Sequence, residues 1–200
     1  MTAIDAKTGK IVATSPDLAG RTEHLAADGN GHVFLNMQDL GTLLELDAKD
    51  LKVLNMWPLA GCGQPSSMDI DRSHQRVFIG CRSGVLAVVD GPSGKIVATQ
   101  PIGPGVDALE FDPTRSLLFV STGGGDGTLS IFHEDAPDRY SLVQNVKTLP
   151  GARTMALDRK TATVFLPVAD TGPAPEPTPD NPHPRPRMVP GSFSVLVVGS

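Results

Sequence analysis

The sequence predicts an all-β fold, a β-propeller of four-stranded antiparallel blades with about four blades present, on three observations. A unit returns every 40 to 45 residues or so, its apolar runs are short and closed by turn residues, and helical periodicity is almost absent. The repeat is anchored by Phe34 in HVFLNM, Phe78 in RVFIGC, Phe119 in LLFVST and Phe165 in TVFLPV, at intervals of 44, 41 and 46 residues. An aspartate precedes each anchor at a polar turn: Asp28, Asp71, Asp112 and Asp158, at intervals of 43, 41 and 46.

The elements follow in chain order. Residues 1–15, containing DAKTGKIVAT, read as the third and fourth strands of a split blade. Blades then span 16–58, 59–101 and 102–149. The clearest unit runs MDID (68–71), turn RSHQ, RVFIGC (76–81), turn RSG, VLAVVD (85–90), turn GPSG and KIVATQ (95–100). The Gly-Lys at 94–95 is therefore a hairpin end and not a phosphate loop, which needs a helix and a hydroxyl after the lysine. Gly94 is expected to hold a positive φ. Residues 150–200 form a last blade without its outer strand, and residues 2–14 are expected to complete that blade and close the ring. Eight of the 18 prolines lie between Pro173 and Pro190, so 171–191 reads as a polyproline-II-like surface loop, an insertion, docking peptide or lid.

Composition narrows the function classes. Single-stranded nucleic-acid binding calls for a basic groove with stacking aromatics, and 17 Lys+Arg against 22 Asp+Glu, net charge −5, one Trp and one Tyr speak against it. No run of 18 apolar residues suggests a membrane span. No export signal opens the chain, and because it begins inside a repeat unit, upstream sequence is expected.

The stretch VFIGCRSGVLAVVDGPSGKIVATQPIG, followed by GVDALEFDP, closely resembles the YVTN-type, YncE-like β-propeller repeat. Asp5 with Thr8-Gly9-Lys10 repeats its hairpin almost letter for letter. The resemblance covers the chain outside the Pro-rich loop and implies a WD40/YVTN-like architecture, related to quinoprotein amine dehydrogenase β-chain-like propellers. Family members look like exported bacterial proteins with seven blades. The resemblance thus implies the C-terminal part of a longer protein, periplasmic or extracellular, acting as a non-enzymatic binding scaffold. A redox-associated subunit of quinoprotein or haem type and a single-stranded nucleic-acid binder are the alternatives.

Propeller ligands meet the face formed by the entries to the innermost strands and the loops after the second strands. On this chain those positions hold Glu23, His24, Gln64, Ser66, Asp107 and Arg153 at the entries, and Asn36, Arg82, Ser121 and Asp170 at the loops. The ring suits a polar or anionic small molecule, a peptide or a protein partner; a merely solvated mouth is the plainer reading. No catalytic residue, cofactor or metal site is expected. The five histidines (24, 32, 74, 133, 183) are scattered, with His32 and His74 on the face opposite His24, and no Gly-x-Ser-x-Gly occurs. GGGDG (123–127) reads as a hairpin loop. Cys62, at the entry to one strand, and Cys81, at the end of the next, fall on one face. A disulfide and two free thiols both remain open. An open arc of blades would expose apolar end faces and favour self-association.

Overall fold

The computed structural model describes residues 1–182 and 184–199; His183 lies outside them. Five antiparallel sheets follow one another along the chain. First comes a hairpin of β1 (Thr2–Ile4) and β2 (Ile11–Thr14). Three four-stranded sheets follow: β3 (Thr22–Ala27), β4 (His32–Met37), β5 (Thr42–Asp47) and β6 (Val53–Pro58); then β7 (Pro65–Asp71), β8 (Arg76–Cys81), β9 (Val85–Asp90) and β10 (Lys95–Pro101); then β11 (Val106–Asp112), β12 (Leu117–Thr122), β13 (Thr128–Ala136) and β14 (Arg139–Lys147). A three-stranded sheet ends the chain: β15 (Ala156–Asp158), β16 (Thr163–Val168) and β17 (Ser194–Val198). Among the described residues no helix is long and apolar enough to cross a membrane.

Sheet stacking explains why the second and third strands of a unit read as continuous apolar runs. Each inner sheet is covered on both faces, so both side-chain sets of VFIGC and LAVV are buried. Phe34 sits with Met68, Ile70, Val77 and Ile79 between the first two four-stranded sheets, and Phe78 with Phe111, Phe132 and Tyr140 between the next two. Phe119 packs with Leu129, Val164 and Leu166 against the last sheet. Phe165, the fourth anchor, has no sheet beyond it among the described residues and stays 39% exposed.

The repeated aspartates are turn caps. Asp28 accepts the N–H groups of Asn30 and His32, Asp71 those of Ser73 and His74, Asp112 that of Thr114, and Asp158 that of Lys160. Each carboxylate satisfies backbone donors that the turn would otherwise strand. Gly94 adopts φ +67°, and a Cβ at that position would run into the Trp57 indole of the preceding sheet. This hairpin glycine is thus required by the backbone and by the sheet packed across it.

Two terminal features differ from expectation. The β1–β2 hairpin forms a sheet of its own, and β17 pairs only with β16 among the described residues, so the hairpin does not complete the last sheet. The segment linking it to β3 is short, and Met1 and Leu18 pack against Leu35, Met37, Leu44 and Leu46 on the outer face of the first four-stranded sheet. These two residues, which flank the hairpin, thus cover part of the face where a preceding blade would lie. The Pro-rich segment is a folded-back arm and not a simple loop. Thr171 bridges Met188 near its base, and Thr178 bridges Asn181 near its tip.

Candidate functional site

The strand entries and the loops after the second strands gather at one end of the stack. Three of the four innermost strands, β3, β7 and β11, carry a register shift at the entry: between Thr22 and Leu25, Pro65 and Ser67, and Val106 and Ala108. Glu23, His24, Ser66 and Asp107 lie inside these bulges, which re-aim a side chain at the rim of a sheet.

A cavity of about 630 Å³ opens there, lined by Arg21, Glu23, Arg82, Asp107, Arg153 and Arg185 with Pro186. Asp107 stands between two guanidinium groups, 3.0 Å from Arg82 Nη2 and 3.5 Å from Arg153 Nε. Glu23 pairs with Arg21 at 3.0 Å. Arg185 has no ion-pair partner among the described residues, and the buried Nε of Arg82 has no hydrogen-bond partner. Four guanidinium groups thus face two carboxylates in a chain whose net charge is −5.

A second cavity of about 500 Å³ adjoins the first, sharing Arg153, Arg185 and Pro186. Its wall is more apolar, with Val168, Met188 and Phe193 contributing. The arm's base makes this shelf: Gly172 N–H donates to the Arg187 carbonyl and Val189 N–H to that of Asp170, both at 2.9 Å.

Of the residues that the sequence marks for this face, Glu23, Arg82, Asp107 and Arg153 converge on the main cavity. His24 is exposed beside it, over a shallow depression with Glu23 and Leu25. Gln64 points to solvent with φ +55°, and its carbonyl accepts the Arg82 N–H. Asp170 is exposed at the arm's base, where its N–H donates to Ser192 Oγ. Asn36, Ser66 and Ser121 are corrected: all three are buried and tie one sheet to the next. Asn36 Nδ2 donates to the Ser67 carbonyl, Ser66 Oγ to that of Val106, and Ser121 Oγ to that of Arg153. A short polar side chain at a strand end serves a neighbouring backbone as readily as a ligand. Arg21 and Arg185 were not foreseen; Arg21 lies just outside a strand, and Arg185 reaches the cavity only through the arm's course.

Cys62 and Cys81 are joined as a disulfide with Cα atoms 5.3 Å apart, pinning the β7 entry loop to the end of β8 at the same end.

The opposite end holds a group that the linear sequence did not bring together. Asp71, His74 and Glu134 offer ligand atoms within 4.8 Å of one another. Their donors and acceptors are engaged locally. Asp71 accepts from Ser73 Oγ and lies 2.5 Å from His74 Nδ1, while Tyr140 donates to Glu134 at 3.0 Å. Burial pushes the Glu134 carboxyl up, against the Tyr140 hydrogen bond. Burial would also raise Asp71, but hydrogen bonds from Ser73 and His74 outweigh it and hold that carboxyl low.

No protein-family model matches the sequence, and no curated protein matches it. Solved structures do match in shape. A chain of the Kuenenia stuttgartiensis hydrazine synthase superposes with TM-score 0.69 at 16% identity, covering 80% of this chain and 45% of that one. The WD40 β-propeller domain of Doa1 gives 0.65 at 14%, covering 82% and 53%. A chain of the mitotic checkpoint complex gives 0.68 at 13%, covering 80% and 49%.

The fold is a β-propeller. At these identities the likeness concerns fold alone. The chain spans about half the length of these three solved chains, and 99% of the computationally designed Ika4 protein, which it matches with TM-score 0.65 at 13% identity.

Proposed function

We propose that this chain is a non-enzymatic binding propeller of the YVTN type that takes its ligand or protein partner on the charged mouth. The observation that carries the reading is the cavity of about 630 Å³ built from side chains of separate sheets and of the Pro-rich arm. Such convergence of polar groups from distant sequence positions in one concavity is what a binding site requires. The YVTN assignment draws on the hairpins IDAKTGK at 4–10 and VDGPSGK at 89–95, each followed by IVAT, and on the matching Gly9 and Gly94 conformations, φ +68° and +67°. The Cys62–Cys81 disulfide supports an oxidising compartment, periplasmic or extracellular.

The test is amide and guanidinium NMR mapping of the labelled chain against a mixed panel of small anions, amines, sugars and short peptides. Saturable shifts centred on Arg21, Arg82, Asp107 and Arg153 are expected. Saturable shifts confined to the outer strands, or none at the mouth with any panel member, would overturn the reading.

A further inference from the structure

We infer that the ligand of the mouth is a small amphipathic anion: a carboxylate or phosphate head joined to an apolar body. This deepens the proposed binding function and rests on it.

The charge arrangement selects the head. The Arg21–Glu23 pair accounts for one guanidinium, and Arg82 and Arg153 share the single carboxylate of Asp107. Arg185, on the wall of the same cavity, is left without a counter-charge among the described residues. An anionic oxygen in the cavity would give the Arg185 guanidinium its counter-charge and add charge-assisted bonds. The excess of two guanidinium groups suits one or two negative charges, not a long polyanion, in a chain that is acidic as a whole.

The adjoining shelf selects the body. Met188 and Phe193 are 60% and 61% exposed, and with Val168 they line the cavity that shares Arg153, Arg185 and Pro186 with the mouth. A molecule whose charged end reaches Arg185 therefore has an apolar surface waiting beside it. Both cavities, about 630 and 500 Å³, fall in the size range of small-ligand pockets. The arm makes the two requirements one site, because Arg185, Met188 and Phe193 lie on its returning limb and base.

The experiment is isothermal titration of the full chain with 4-phenylbutanoate and phenyl phosphate, compared with neutral 4-phenylbutan-1-ol and with inorganic phosphate. The inference predicts that at least one two-part anion binds tenfold or more tighter than the alcohol and than phosphate alone. The tighter of the two names the head group. Raising salt to 0.5 M should weaken binding. Arg185→Gln, on an exposed limb, should weaken it at least fivefold with an unchanged melting temperature. The double variant M188S/F193S should weaken both organic anions and leave inorganic phosphate unaffected. Equal affinity for the alcohol, or no effect of R185Q, would overturn the inference. Failure of every probe while another panel member shifts the mouth residues by NMR would sink the inference alone; no shift at the mouth with anything would sink the binding reading as well.

Discussion

The two ends of this propeller are made from the same repeats and have opposite characters. At one end, Asp28, Asp71, Asp112 and Asp158 recur at the repeat interval, and each satisfies the backbone of its own turn. At the other, the charged residues do not recur at the repeat interval: bulges, a disulfide and the Pro-rich arm bring Arg21, Arg82, Arg153 and Arg185 around Asp107 and Glu23. The repeated end has matched donors with acceptors, whereas the mouth has guanidinium groups in excess and a buried donor unpaired. In a repeat protein, periodic polar residues build the scaffold, and departures from the period are where binding chemistry collects.

This contrast can be broken or sharpened by measurement, and the largest effect belongs to the disulfide at the mouth. It closes a loop with sequence separation 19, so C62S/C81S should lose about 3 kcal/mol in denaturant titrations, on the loop-entropy view. Next comes the repeated end. Asp71→Ala removes a buried carboxylate that accepts from Ser73 and His74, and should cost about 1–3 kcal/mol. Asp107→Ala makes the comparison, since its partners are partly solvated. Thermal melts should show a loss of no more than about 1 kcal/mol. The same variant should tighten binding of the two-part anions, because Arg82 and Arg153 are both released toward the ligand.

The remaining effects depend on pH. Asp28 and Asp71 are held low, so their stabilisation is present above the ordinary aspartate value of 3.8 and is lost as pH falls through their folded values. Glu134 is raised by burial, so its contribution is present below 4.5 and is lost as pH rises through its folded value. Glu134→Gln should therefore raise the melting temperature at neutral pH relative to wild type, and the gain should shrink in acid. Smallest is His32, raised chiefly by its hydrogen bond to Asp28, against burial. Its contribution is present below 6.5 and fades as pH rises through the folded value. With its side chain 40% exposed, His32→Gln should cost under about 1 kcal/mol at pH 5.5 and nothing measurable at pH 9.

What could be read from the sequence follows the same division. The propeller was legible because Phe34, Phe78 and Phe119 each needed a stacked neighbour, a demand that writes itself at a fixed interval. Four mouth residues were legible from their place within a blade. Asn36, Ser66 and Ser121 misled because a strand-end hydroxyl or amide looks the same whether it faces solvent or the next sheet's carbonyl. Arg185 was hidden because its position depends on how the arm folds back at Thr171 and Met188, which low-complexity sequence does not announce. The Asp71–His74–Glu134 group was hidden because Glu134 arrives from the next sheet, and no local spacing encodes that meeting.

The most direct test pairs a thermal melt with titration of 4-phenylbutanoate for D71A and D107A. The account predicts that D71A lowers the melting temperature and leaves affinity unchanged, while D107A leaves the melting temperature nearly unchanged and tightens binding severalfold. Affinity altered by D71A but not by D107A would contradict it, and would move the binding site to the turn end.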